Sequence, residues 1–323
     1  MDYTSNTLLL AVLLFASAVA VNSQDSLCKS MVETNGYVTT QDGYILGVQR
    51  IPVGMTNTTA NRPPVLLQHG IFMDAATWLF NSPDKSLAFI LADNGFDVWI
   101  GNNRGTKSSR GHTSLTANDP AYWEWTWAQL ANDDLPAMYD YIHNQTRQKL
   151  YYVGHSLGTL LALASFSQEK LVNLTKSAAL LCPIAYTSQT TSVFPRTIAK
   201  VYLAERAYRL GLHEFIAGGA GNVAEYDYDD EGENKKHYGQ PTPPLYNLTS
   251  IPKDIPLFIG YGGKDSLSDV NDVKLLLDDL KDHQKDKLVL LYRDDYAHLD
   301  FIVAENAKNV VYDPLIAFLR TQA

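Results

Sequence analysis

The chain has 323 residues, 46% of them apolar and 19% charged, a balance that suits a folded protein with a sizeable core and excludes a disordered chain. Its net charge of −9 excludes nucleic acid as a partner, because such binding needs a basic face to replace phosphate counterions. With two cysteines, Cys28 and Cys182, it is no disulfide scaffold.

The first element is the apolar run Leu8 to Val21, LLLAVLLFASAVAV. It is too short to cross a bilayer and suits the apolar core of a signal peptide. Ala18-Val19-Ala20 offers a small-x-small cleavage site, with a second near Ser23. No Lys or Arg precedes Lys29, so the positive end is only the α-amino group. Residues 1–23 are therefore read as a signal peptide, which leaves no transmembrane segment in the mature chain. Four Asn-x-Ser/Thr sequons, at Asn57, Asn144, Asn173 and Asn247, agree with passage through the secretory pathway to an extracellular, vacuolar or lysosomal destination.

From Tyr37 to Pro52 apolar and polar residues alternate around Asp42-Gly43, a hairpin signal. Strand-like runs follow at Val65–Gln68, Phe96–Ile100, Leu150–Val153, Ala178–Pro183, Pro256–Tyr261 and Leu288–Tyr292. Segments of helical period lie between them at Asp133–His143, Leu157–Gln168 and Val270–Leu280. Such alternation predicts an α/β fold with a mostly parallel central sheet and helices on both faces. It breaks between Tyr186 and Ser250, where a helical stretch, Val193–Phe215, precedes an acidic Gly- and Pro-rich stretch. The expected organisation is a core in two parts, 24–185 and 251–323, with 186–250 inserted as a reduced helical cap over the carboxyl edge of the sheet. That edge is where open α/β sheets bind ligands. Cys182 lies in an apolar run and is expected as a buried free thiol.

The chemistry centres on Gly154-His155-Ser156-Leu157-Gly158. Gly-x-Ser-x-Gly is weak evidence by itself, but here it follows one predicted strand and opens a predicted helix, as a nucleophile elbow requires. A serine in so tight a turn needs flanking residues without a Cβ, which would collide with the neighbouring strand or helix. The hydroxyl needs a base. Of eight histidines, His298 follows the last strand and precedes a terminal helix, the position the base takes in the order Ser, acid, His. His155 is expected to turn away from the serine, and His213, His237 and His283 to be solvated. Asp265, on the turn Gly262-Gly263-Lys264 after the penultimate strand, is the candidate acid, better placed than Asp269, Asp272, Asp294 or Asp295. The backbone N–H groups of Leu157 and of Ile71, in His69-Gly70-Ile71-Phe72, are the candidate oxyanion donors.

Val65 to Asn81, Gly101-Asn-Asn-Arg-Gly-Thr, Gly154–Gly158, Tyr261–Asp265 and Tyr296-Ala-His298-Leu-Asp300 together resemble the acid lipases, the family of gastric and lysosomal acid lipases and their plant triacylglycerol-lipase-like relatives. The plant branch is the nearest. The resemblance implies the α/β-hydrolase fold and hydrolysis of lipid or other hydrophobic esters through an acyl-enzyme, with neither metal nor organic cofactor. It assigns Ser156, Asp265 and His298 to a triad and Ile71 and Leu157 to the oxyanion hole. The expected partner is a hydrophobic ester substrate, with a lipid surface as a further candidate. Two departures stand out: the insertion is shorter than the family's cap, with the missing part between Phe215 and Tyr226, and the N-terminal piece between Glu33 and Thr39 is contracted, leaving Cys28 without its usual partner. An alternative use of the same site is acyl transfer or a specialised-metabolite esterase or lyase reaction. A non-catalytic binding protein is a third reading, against which the triad order argues.

Overall fold

A computed structural model describes residues 33–54, 62–186, 223–228 and 230–322. The signal-peptide run, Cys28, Asn57, His213 and the Val193–Phe215 stretch lie outside them. Among the described residues nine strands form one sheet in the order β1-β2-β4-β3-β6-β7-β8-β9, with the two-residue β5 (Gly111–His112) paired to β2. The chain enters as the expected hairpin, β1 (Glu33–Thr39) and β2 (Tyr44–Ile51), antiparallel across the Asp42-Gly43 turn. β2 then pairs antiparallel with β4 (Asp97–Gly101). From β4 onward neighbours are parallel: β3 (Pro64–Gln68), β6 (Leu150–His155), β7 (Thr175–Leu181), β8 (Leu257–Gly262) and β9 (Leu288–Arg293).

The apolar runs become strands because both faces of the sheet are covered, and the two-residue period assigns each side chain to a face. Leu150 and Tyr152 of β6 belong to one apolar cluster, Tyr151 and Val153 to the other. On the first face lie α2 (Leu135–Thr146), α3 (Leu157–Ser167) and α5 (Val270–Asp279), through residues such as Met138, Leu161 and Leu276. On the second lie α1 (Leu87–Asp93) and the C-terminal α7 (Asp313–Thr321), through Leu91, Leu315 and Leu319. Of the inserted segment, the described part holds α4 (Glu231–Tyr238), whose N-cap Asp230 accepts from the Glu233 N–H. A short helix, α6 (Asp300–Val303), lies between β9 and α7. Among the described residues no helix is long and apolar enough to cross a membrane.

The strand order fixes where a site can form. From β3 the chain moves outward to β4, then returns to the other side of β3 as β6, so the connections diverge between β3 and β6. Loops leaving such a pair part in opposite directions and open a crevice at the carboxyl ends. β3 and β6 run in register, Gln68 beside Gly154, so the next residues, His69-Gly70-Ile71 and Ser156, leave the sheet side by side.

Candidate active site

Ser156 joins β6 to α3 with φ 54° and ψ −117°, a backbone region that a residue with a Cβ enters only when its surroundings enforce it. Three bonds do so: its N–H donates to Leu181 O at 3.0 Å, and its carbonyl accepts from Thr159 N–H at 2.8 Å and Thr159 Oγ1 at 2.6 Å. The flanking glycines have the steric reason expected of them. A Cβ on Gly154 would lie 2.8 Å from the Gly158 backbone, and one on Gly158 would lie 2.5 Å from Gln68 O in β3. The helix therefore starts directly against the strands, with the Leu157 N–H at its positive end. Ser156 is 5% exposed, and among the described residues its hydroxyl makes no hydrogen bond.

Asp265 and His298, 33 residues apart, are brought together: His298 Nδ1 lies 2.8 Å from Asp265 Oδ2. The other carboxylate oxygen accepts the N–H groups of Leu267 and Ser268, at 2.9 and 2.8 Å. Burial alone would raise the Asp265 pKa, but His298 and these two N–H groups prevail and hold it below the usual carboxylate value. An ionised carboxylate only accepts, so Nδ1 of His298 carries the proton of this pair and donates it to Asp265. The His298 loop is tied by Asp300, whose Oδ2 accepts the Ala297 N–H at 2.7 Å. That gives the aspartate of the His-x-Asp motif a structural duty.

His155 connects the two halves. Fully buried, it donates from Nε2 to the main-chain carbonyl of His298 at 3.0 Å, and its ring lies 4.9 Å from the His298 ring. Burial, reinforced by nearby His298, lowers its pKa to about 3, so it stays neutral. The Cys182 thiol, also buried, donates to the same carbonyl at 3.3 Å. Ligand atoms of His155, Cys182 and His298 lie within 4.8 Å of one another, close enough for a metal ion. In this arrangement, however, the first two are spent as donors to a carbonyl and the third is paired with Asp265. Sequence reasoning did not anticipate the His155 and Cys182 contacts, since nothing along the chain marks residues 116 or more positions apart as sharing one carbonyl acceptor.

Gly70 closes the crevice from the β3 side: a Cβ there would lie 3.0 Å from Ser156 Cβ and 3.1 Å from His155 Nδ1. The candidate donor Ile71 follows, and Phe72 after it has φ 60°. One expectation needs correction. His283 is not solvated but buried, with Nε2 2.8 Å from the carbonyl of Ile255, because it tucks under the segment that enters β8. His237 is exposed, as expected, and stacks on Tyr228 at 4.1 Å between ring centroids. Asn144, Asn173 and Asn247 are all exposed, as glycan attachment requires.

Comparison with known proteins bears on this geometry. A partial α/β-hydrolase lipase region matches residues 31–82, and the α/β-hydrolase fold matches residues 63–215. Triacylglycerol lipase 2 of Arabidopsis thaliana is 42% identical, over 92% of this chain and 88% of its own. Human gastric triacylglycerol lipase is 32% identical, over 87% of this chain and 86% of its own. Among solved structures, an esterase from Pyrococcus furiosus superposes with a TM-score of 0.62 at 18% identity, covering 93% of this chain and 95% of that one, which shows the shared fold. The Arabidopsis alignment spans 368 positions against the 323 residues here, so at least 45 positions of that relative (368 less 323) have no counterpart.

Proposed function

This chain belongs to the acid lipase family and hydrolyses carboxylic esters, and from that premise we propose that Ser156 is its nucleophile, His298 its general base and Asp265 the carboxylate that orients the base. Ser156 Oγ attacks the ester carbonyl while His298 Nε2 takes the hydroxyl proton. The carbonyl oxygen becomes an oxyanion between the N–H groups of Leu157 and Ile71. The tetrahedral intermediate collapses as imidazolium returns the proton to the departing alcohol, leaving an acyl-serine. Water, deprotonated by the same imidazole, releases the acid and restores Ser156. Asp265 keeps the proton on Nδ1 and stabilises the imidazolium that each step forms.

The observation that carries this reading is the 2.8 Å contact between His298 Nδ1 and a buried Asp265, within one sheet edge that also holds Ser156 in its strained turn. The substrates are hydrophobic esters, met at a lipid surface. We read residues 186–250 as a reduced cap, and on that reading short-chain esters are preferred over long-chain ones. The protein travels the secretory pathway, loses residues 1–23 and carries glycans on the sequon asparagines. A fluorophosphonate probe tests the centre of this reading: it labels the wild type and not Ser156→Ala, and p-nitrophenyl butyrate is turned over faster than the palmitate. Equal labelling of the variant would remove Ser156 from the mechanism, and a preference for emulsified long-chain triacylglycerol would remove the reduced-cap account.

A further inference from the structure

His69 ends the run after β3 and is 2% exposed. Its two ring nitrogens have partners of opposite kind. The Asn103 N–H, in the loop after β4, points at Nε2 from 3.2 Å, and the Gly70 carbonyl lies 2.8 Å from Nδ1. A backbone N–H only donates and a carbonyl only accepts, so Nε2 holds the lone pair and Nδ1 the proton. The ring is neutral and its tautomer is fixed by the backbone around it. Burial lowers its pKa, in keeping with that state.

The acceptor is the informative part. The Gly70 carbonyl and the Ile71 N–H are two sides of one planar trans peptide and point in opposite directions. Holding the carbonyl therefore sets the direction of the N–H, and a hydrogen bond to the carbonyl polarises the amide and strengthens its N–H as a donor. Gly70 offers no side chain to restrain that peptide, and it abuts Ser156, where a Cβ would come within 3.0 Å of the serine Cβ. The following residue, Phe72, sits at φ 60°, so the loop is held in a turn that its own residue types do not favour.

We propose that His69 is a positioning residue for the oxyanion hole: its Nδ1–H grips the Gly70 carbonyl and so aims the Ile71 N–H at the developing oxyanion. The inference rests on Ile71 being an oxyanion donor. His69 touches neither substrate nor reacting atoms. It acts through one peptide unit, itself registered against the β4 loop by Asn103.

Thiono esters separate this role from a general structural one, because the sulfur that develops charge in their transition state accepts hydrogen bonds weakly and gains little from the hole. In the full mature chain, His69→Leu is expected to lower kcat for p-nitrophenyl butyrate by about 10–100-fold, less than the roughly 10²–10³-fold for removing a donor outright because the Ile71 N–H is misaimed and not lost, with KM changed less than about twofold. Hydrolysis of the thiono analogue falls much less, so the oxo-to-thiono rate ratio drops. His69→Asn, which keeps a side-chain N–H near the Nδ1 position, restores part of the ratio. Equal loss on both esters, or no advantage of Asn over Leu, overturns the proposal. Replacing the Ile71 peptide N–H by an ester oxygen tests the premise separately. If that change leaves the ratio intact, Ile71 is no oxyanion donor and both ideas fall. If it lowers the ratio while His69→Leu does not, the donor stands and the role of His69 falls. The tautomer needs no substitution: imidazole ¹⁵N shifts of the wild-type protein should report His69 protonated at Nδ1, and an Nε2–H signal overturns the proposal by itself.

Discussion

Two buried carboxylates in this molecule, Asp134 and Asp265, have side chains at 0% exposure, and each meets a partner able to carry positive charge. Asp134 lies where the chain enters α2. It accepts the main-chain N–H and the Nε–H of Arg104, at 2.8 and 2.7 Å. The same guanidinium binds Asp42 in the hairpin turn through both terminal nitrogens, at 2.6 and 2.9 Å, and stacks 3.8 Å over the Tyr44 ring. Asp265, toward the other end of the sheet, meets His298. The pairs look alike but their cations do not. A guanidinium never releases its proton at accessible pH, whereas an imidazole exchanges one near neutrality. The first pair can only hold: it locks the loop after β4, whose Asn103 N–H reaches His69. The second holds an imidazole at the edge where Ser156 emerges, and it is this imidazole to which the proposed mechanism gives the proton transfer. Burial of a charge pair is thus no mark of catalysis; the partner's chemistry and its place on the sheet edge separate the two.

The comparison predicts a double dissociation, and Asp265→Asn gives its larger half. An amide oxygen can still accept from Leu267 and Ser268, but the amide nitrogen then faces His298 Nδ1 and reverses the tautomer. We expect kcat to fall by about 10⁴-fold, while the melting temperature moves by only a few degrees. Steady-state kinetics beside thermal melting checks both; an Asp265→Asn protein that unfolds while its folded fraction stays active would merge the two regions into one structural class.

Arg104→Met is the other half and the next effect in size. It strands Asp134 without a cation in the core, which costs about 3–5 kcal/mol of stability. The protein that remains folded should keep kcat within about tenfold. Adding Asp134→Leu should return part of the loss, because no unpaired buried charge is left. Urea titration measures each step. If Arg104→Met lowered activity a thousandfold at unchanged stability, Arg104 would belong with the chemistry.

Much of this contrast was legible along the chain and part was not. β3, β6, β7 and β8 read as strands because both faces are covered and their apolar runs are nearly unbroken. The elbow was legible because its spacing is a known motif: the demand for glycine at 154 is local, set by the Gly158 backbone, while that at 158 comes from Gln68 in the neighbouring strand. Asp265 and His298 were reachable by their order after successive strands. What could not be read was tertiary in origin. α1 has six of its seven residues buried, so it lacks the polar face that reveals a helix by period. β5 is two residues long and exists only because β2 offers an edge. His155, His69 and Cys182 find partners through loops that meet at the β3–β6 crevice, and His283 is buried by a carbonyl 28 positions earlier. Histidine tautomers in particular are set by what lies opposite each nitrogen, and composition carries no trace of that.

The buried histidines sharpen the comparison through pH. His155 is neutral in the fold, with its pKa lowered from the usual 6.5 to about 3 by burial and by His298, with Asp265 and His69 also near. A base whose folded pKa is depressed binds fewer protons folded than unfolded, so its contribution to stability is complete above the unfolded value. It is lost as pH falls, from about 6.5 toward 3. The slope from one such group reaches about 1.4 kcal/mol per pH unit, and His69 shifts in the same direction. Melting temperatures should therefore drop steadily from pH 7 to pH 4. His155→Gln, which keeps a nitrogen donor near Nε2 and cannot titrate, should flatten that decline. A wild-type curve with no slope in this window would mean that these rings are not held neutral.

The smallest effect concerns the second donor to the His298 carbonyl. Cys182 follows β7 at φ 53° and points its thiol at that carbonyl from 3.3 Å, while His155 supplies the shorter bond at 3.0 Å. A thiol is a weak donor, so Cys182→Ala should cost about 1 kcal/mol and lower kcat only a few-fold, because His155 still holds the loop. Cys182→Ser keeps a hydroxyl donor in nearly the same place and should stay within about twofold of wild type in kcat. The difference between Ala and Ser, not the size of either loss, isolates the hydrogen bond from the volume of the side chain. It should grow when His155 is replaced by Leu, since the carbonyl then depends on residue 182 alone. Strict additivity between the positions would show that the two donors do not share the task of fixing His298, and that this loop is held by the packing around it.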